Sequence, residues 1–561
     1  IDIQKMDGKK KNGESHSLKK SETVVKTKVK MNDVLCSIVG TLFRIACLYY
    51  VVVNAYEIRL FAINTYGRVI HEFDPWFNFR ATKYLAENGW TKFFRWFDYK
   101  VWYPLGRPVG TTIYPGMQIF SVSLWKVLNW TGAATMSLND VCVFVPAWLG
   151  ATSSIWLGML TAEASGSNHA GVIAAAIYAI IPAHIMRSVG GGYDNESVAM
   201  DCMCATFYFW VRSIRGKGSW KFGVLTGLAY TCMVATWGGY IFIVNMIGVH
   251  ASLLVATGRH STNLYRAYTL FFVIGTFGAT CVPVVGWAPL RSLEQIGPLV
   301  AFFVFQIWEL CCVLRRKWKL NYLQYNVLRL KIFGAAGILA ALLCSQLFAM
   351  GYFGPLGARI RGLFVKHTRT GNPLVDSVAE HQPGNDDAYY RYLHNVYYLA
   401  PVGLALCAVR WKEGPFFLVL YGCTAYYFMN KMSRLIVIGG PIASALGGVT
   451  LGYLFDWIFA QINSSFNRNI WEGLSDENDE NDKSSKLLKL LRNFSMEADK
   501  HLLQDEKKKK IDEKVKKETT KKKKVSFSLE MIRNKIMYYE DLICSHVLEV
   551  YVVFEREARE F

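Results

Sequence analysis

Long apolar runs alternate with short polar joints along the chain, and that alternation sets its class. About twelve runs reach the roughly 20 residues an α-helix needs to cross a hydrocarbon core. They lie near 34–62, 139–160, 168–187, 197–214, 219–236, 238–257, 264–285, 294–314, 331–352, 393–409, 415–429 and 434–460. The expected architecture is all-α and polytopic: a multi-span domain over 34–460 with two large outer loops at 63–138 and 353–392. Within the first loop, Met117 to Trp130 is apolar but short and interrupted by Lys126, so it reads as an interfacial helix.

Charge sharpens the picture. The 561 residues are 52% hydrophobic yet carry a formal net charge of +20, a combination that requires the two to be segregated. The basic excess falls in a tail at 1–33 and in a late tract from Lys486 to Lys524. The first reads as a basic cytoplasmic tail, and 461–561 as a charged, largely disordered cytoplasmic tract. Arg212 and Arg215, Arg259 and Arg266, Arg315 and Arg316, and Arg410 occupy short joints that fall on one side, which the positive-inside rule makes cytoplasmic. The Lys-rich start has no early apolar core, so the first span is expected to act as an uncleaved anchor. The 13 cysteines are scattered mostly through apolar runs and suggest neither a disulfide framework nor a zinc site. No nucleic-acid partner is expected.

The opposite side carries the candidate chemistry. Three acidic islands end hydrophobic segments there: His71-Glu72-Phe73-Asp74-Pro75, Gly192-Tyr193-Asp194-Asn195-Glu196, and Ser377-Val378-Ala379-Glu380-His381-Gln382-Pro383. Carboxylates are costly to desolvate, so several gathered on one membrane face call for a cation or a polar substrate. Asp74 precedes Pro75, which favours an extended backbone and projects the carboxylate from a loop. Asp194 reads as a helix N-cap with Glu196 in the first turn, where the positive helix end favours ionised carboxylates. Ionised oxygen donors suit a hard divalent ion such as Mg²⁺ or Mn²⁺. Taken singly, Asp194 is an ordinary cap, Glu380 a solvated loop residue, and Arg187 and Arg434 snorkelling side chains. Their shared placement on one face turns the reading toward function.

At these residues the chain resembles the catalytic subunit of eukaryotic oligosaccharyltransferase, the enzyme of asparagine-linked glycosylation, whose membrane domain has the GT-C glycosyltransferase fold. The resemblance rests on Glu72-Phe73-Asp74, on Asp194-Asn195-Glu196 preceded by Arg187-Ser188-Val189, and on Ser377-Val378-Ala379-Glu380, where the family has Ser-Val-Ser-Glu. Trp96-Phe97-Asp98-Tyr99 and Trp102-Tyr103-Pro104-Leu105-Gly106-Arg107 extend it into the first loop. It implies that Asp74, Asp194 and Glu196 hold Mn²⁺ or Mg²⁺ against the pyrophosphate of a dolichol-linked oligosaccharide. It further implies that Asp74 and Glu380 engage the acceptor asparagine of an Asn-x-Ser/Thr sequon in a nascent polypeptide. Arg187 would support the acidic centre and Arg434 would contact the lipid phosphate. Implied partners are the membrane, other oligosaccharyltransferase subunits and the translocon, and the implied location is the endoplasmic reticulum membrane with the site lumenal.

The family continues into a thirteenth span and a lumenal domain bearing a WWDYG motif that reads the sequon hydroxyl. No WWDYG occurs in this chain, so a truncated or divergent form is expected. Three other readings stay open on the sequence: a non-catalytic binder of lipid-linked sugar, a membrane glycosyltransferase with another acceptor, and a secondary transporter. A transporter would place its ionisable site near the midplane of interrupted helices rather than in outer loops.

Overall fold

The computed structural model describes residues 38–216, 218–353, 378–384 and 386–472. Among them the chain is helical, with an isolated antiparallel bridge between Asp98 and Arg107 and no strand. The basic tail at 1–33, Ser377 and the tract beyond Glu472 lie outside the described residues.

The bundle opens with α1 (Ile38–Tyr66). Two helices follow inside the first predicted loop, α2 (Phe73–Phe94) and α3 (Gly116–Thr131). Next come α4 (Leu138–Ser165), α5 (Asn168–Ile180), α6 (Asn195–Ile214), α7 (Phe222–Thr236), α8 (Tyr240–Ala256) and α9 (Thr262–Thr280). The remainder are α10 (Ile296–Trp318), α11 (Tyr322–Ala349), α12 (Asp386–Leu393), α13 (Val396–Arg410), α14 (Glu413–Met429) and α15 (Ile436–Glu472). The chain divides into two units at Asp456 and Trp457, and α15 runs from the first into the second.

Each of the twelve predicted spans coincides with a helix. Length and apolarity alone mark five as able to cross a membrane, or six if α12 and α13, bent by 80°, count as one broken span. The other six predicted spans are helices that are shorter or more polar, so the expected count of about twelve is not fixed by these criteria. The predicted span at 168–187 is cut at Ile180, because Pro182 disfavours a helical residue before it and starts a separate turn, Pro182–Ile185. The last span is longer than expected, since α15 runs past 460 to Glu472. Ile462, Phe466 and Ile470 recur four apart there and favour continued helix over the disorder expected from 461.

The larger correction lies in the first loop. The Asp74-Pro75 dipeptide does not project from a loop; both residues sit in the first turn of α2. Proline is tolerated there because first-turn N–H groups have no partner within the helix. The burial of Asn78, Ala81, Thr82 and Leu85 shows the period that escaped notice, one α2 face at helical spacing beneath a mixed sequence. That face packs on α3. The loop after α2 is clamped back to it by Asp98, only 3% exposed, whose carboxylate accepts both Nε (2.6 Å) and Nη2 (3.0 Å) of Arg80. The bond from Arg80 and a backbone N–H from Lys100 hold the Asp98 carboxyl below the usual carboxylate range against the opposing effect of burial.

The core is built on α4, which packs along α5 and α6, with α6 along α7 and α7 along α9. Close approach needs small residues: a Cβ on Gly171 of α5 would sit 2.7 Å from the Gly158 carbonyl oxygen of α4. α4 packs against both α5 and α6, and the 181–194 connection that joins those two helices carries Arg187 and Asp194.

Candidate active site

The N-terminus of α6 forms the floor of the site. Asp194 is its N-cap, with extended φ −121° and ψ 152°, and Oδ1 accepts from the Asn195 backbone N–H at 2.7 Å. Glu196 occupies the first turn and is 1% exposed. A buried carboxylate of this kind requires compensation, and two arginines provide it. Arg434 donates to Glu196 Oε1 from Nη2 at 2.7 Å and from Nε at 3.1 Å. Arg187 brings Nε to 2.9 Å from Glu196 Oε2, an ion pair without hydrogen-bond alignment, and Nη2 to Glu380 Oε1 at 2.8 Å.

One chain of charge thus runs Arg434, Glu196, Arg187, Glu380, its first and last links joining residues far apart in sequence. Glu380 lies on a turn, Ala379–His381, and is half-exposed. The connection before α15 fixes it: Ser433 Oγ donates to the Glu380 carbonyl at 3.1 Å, and Ser433 N–H to the Gln382 carbonyl at 2.9 Å. Arg434 follows directly, in the turn Ser433–Leu435. With Nε and one Nη2 hydrogen on Glu196, Arg434 keeps its Nη1 and the second Nη2 N–H for another anion.

Asp74 is exposed and stands apart from this chain of ion pairs. Its link to the centre is indirect: Asn78, one turn further along α2, reaches the Tyr193 carbonyl at 3.2 Å and Asp194 Oδ1 at 3.5 Å. Residues four apart share a helix face, so Asp74 lies on the α2 face turned toward Asp194. Gln118 Nε2 donates to Asn78 Oδ1 at 3.4 Å, and the Tyr193 hydroxyl joins Ser121 Oγ at 2.7 Å and Thr82 Oγ1 at 3.0 Å. Asn78, Gln118, Tyr193 and Ser433 were missed by sequence reasoning. Asn78 left a trace there as the polar residue at i+4 from Asp74, and Tyr193 as a member of the second acidic island.

The oxygens suit a hard cation in part. Asn195 Oδ1 and Glu196 Oε2 are buried without a hydrogen bond, adjoining Asp194. Against that, no group of three or more His, Cys, Asp or Glu gathers at metal-binding distance among the described residues. Donor chemistry fits at Asp194 and Glu196, and Asp74 offers an oxygen donor of the same kind on the neighbouring α2.

Burial, and then the neighbouring Glu196 charge, raise the Asp194 carboxyl from the ordinary 3.8 to about 6, opposed by the Asn195 N–H and by Arg434 and Arg187. The folded chain thus binds this proton more tightly than the unfolded chain. Its stabilising contribution is complete below about pH 4 and is lost as pH rises through about 6. Asp194→Asn should remove that loss, so its thermal midpoint relative to the unsubstituted chain should climb between pH 4 and 7. A difference that stays flat would contradict the assignment.

Comparison with known proteins identifies the family. The family described as "Oligosaccharyl transferase STT3, N-terminal" matches over residues 41–443. The chain is 37% identical over 410 residues to the rice dolichyl-diphosphooligosaccharide–protein glycosyltransferase subunit STT3A, covering 72% of this chain and 51% of that one. It is 35% identical over 423 residues to the STT3 subunit of Saccharomyces cerevisiae, covering 75% and 58%. The chain thus spans little more than half the length of these curated relatives. Among solved structures, the apo oligosaccharyltransferase of Archaeoglobus fulgidus superposes with a TM-score of 0.58 at 16% identity, covering 80% of this chain and 54% of that one. That likeness carries the fold, a GT-C membrane domain. All six residues singled out in the sequence lie within the family match, and the chain belongs to the STT3 family of oligosaccharyl transferases.

Proposed function

We propose that this chain is the catalytic part of an oligosaccharyltransferase, moving an oligosaccharide from a dolichol-pyrophosphate donor to the asparagine of Asn-x-Ser/Thr sequons in nascent proteins. The observation that carries the reading is the run of four ion-paired residues, Arg434, Glu196, Arg187 and Glu380, within the family match. We place the reaction at the lumenal face of the endoplasmic reticulum membrane, with other oligosaccharyltransferase subunits and the translocon as partners.

The difficulty of the reaction is the nucleophile. An amide nitrogen shares its lone pair with the carbonyl. Asp74 and Glu380 would accept hydrogen bonds from the carboxamide N–H groups and favour a conformation in which that sharing is reduced. Glu380 suits this role because Arg187 and Ser433 hold it while leaving it half-exposed. The nitrogen then forms a bond to the anomeric carbon, the bond from that carbon to the pyrophosphate oxygen breaks, and a carboxylate takes the amide proton. Arg434 would meet the departing phosphate charge. Asp194 and Glu196, with Asp74, would hold Mn²⁺ or Mg²⁺, which would supply positive charge beside the leaving group.

The test is transfer from a dolichol-pyrophosphate oligosaccharide to a fluorescent Asn-x-Thr peptide by membranes containing this chain in a host depleted of its own STT3. A mobility shift that requires the peptide asparagine, disappears with EDTA and returns with Mn²⁺ is expected. Donor binding without any shifted peptide would overturn the reading in favour of a lipid-linked-sugar binder.

A further inference from the structure

Arg59 is fully buried in α1, at 0% exposure, in a segment otherwise suited to a membrane core. A charge in that setting is costly unless its donors are satisfied. Nη1 donates to the Ala55 carbonyl of its own helix at 2.6 Å. Three more contacts fall on one short stretch: Nη1 to the Ala179 carbonyl at 2.9 Å, Nε to Ser188 Oγ at 2.8 Å, and Nη2 beside His184 Nδ1 at 2.8 Å, a nitrogen that the Tyr178 carbonyl also meets at 2.8 Å.

That stretch delivers Arg187. His184 is tied on its far side to Ser153 Oγ of α4 at 2.9 Å, and Ser188 Oγ donates back to the His184 carbonyl at 2.8 Å. The Gly190 N–H donates to the Arg59 carbonyl at 2.8 Å, so side chain and backbone of one residue bracket Arg187. Gly150 of α4 leaves room for this, since a Cβ there would lie 2.2 Å from Arg59 Nε and 2.8 Å from Ser188 Cβ.

We infer that Arg59 is a positioning residue for the transfer reaction, its guanidinium fixing the 179–188 stretch so that Arg187 bridges Glu196 and Glu380. The inference rests on the proposed function for its kinetic consequence but not for its structural one. An error of about 1 Å in placement costs on the order of a hundredfold in rate, so a lost strut should appear in turnover before it appears in folding.

The test uses the full chain in membranes, with Ser188→Ala, Arg59→Lys and both together. Ser188→Ala removes the bond nearest Arg187 and leaves Arg59 Nε without that acceptor, so the thermal midpoint should fall modestly. It is expected to lower kcat per folded molecule about ten- to a hundredfold. In the double variant the Ser188 effect should vanish, because the two act through one bond. A nitroxide on a genetically encoded ketone at Met186, the exposed neighbour of Arg187, gives a reading independent of activity. Its spectrum should sharpen on Ser188→Ala. Sharpening in a chain that transfers nothing would defeat the proposed function and leave the positioning role standing. A kcat loss that persists undiminished in the Arg59→Lys background, or an unchanged nitroxide spectrum, would overturn the positioning role.

Discussion

Glu196→Gln is expected to reduce oligosaccharide transfer by about a hundredfold or more and to lower the thermal midpoint as well. Glu196 is 1% exposed and is shared by two guanidinium groups, Arg434 at 2.7 Å and Arg187 at 2.9 Å. Glutamine keeps the volume and one acceptor oxygen but removes the charge that both arginines face. Breaking a buried ion pair from one side costs about 3–5 kcal/mol, because the remaining charge stays desolvated. Arg187 would also lose the partner that orients its other nitrogen toward Glu380. The two readouts must move together: a variant with a lowered midpoint but full transfer per folded molecule would reduce Glu196 to a structural ion pair.

Asp74→Ala should separate those readouts. Asp74 is exposed in the first turn of α2 and holds up nothing in the core, so the midpoint should barely change. Transfer should nevertheless fall by about two orders of magnitude or more, since the proposed role is to accept a hydrogen bond from the reacting amide and later its proton. Asn78→Ala is the informative companion. It keeps the carboxylate but removes the contact between α2 and Asp194, and it should give a smaller loss. Retention of full transfer by Asp74→Ala would remove this residue from both the metal and the acceptor roles. The contrast is itself a test of the layout: the buried carboxylate governs stability and rate, the exposed one rate alone.

The acidic islands were legible early because each is a short local pattern at the end of an apolar run. The cap geometry of Asp194 and Glu196 could be read from five residues, since a helix start depends on its own first turn. The α2 helix could not be read in the same way. Its buried face includes Asn78 and Thr82, polar residues that count as surface until Tyr193 and Gln118 arrive to bond them. Arg59 stayed hidden for a related reason. A lone arginine near the end of a span reads as snorkelling, and nothing local announces that Ala179, His184 and Ser188 will close around it.

The sequence by itself determined the all-α, membrane-spanning class, the family, and the identity of six candidate site residues. Those properties follow from hydrophobic run length and local motifs, which are written in consecutive residues. Only the tertiary structure decided which charges meet. It paired Glu196 with both Arg187 and Arg434, set Glu380 on the far side of Arg187, and left Asp74 one helical turn from the residue that touches Asp194. Ion pairing falls off within a few ångströms, so Glu196 with Arg434 and Arg187 with Glu380, each pair more than a hundred residues apart, meet only because tertiary packing brings the turns at 379–381 and 433–435 to the N-terminus of α6.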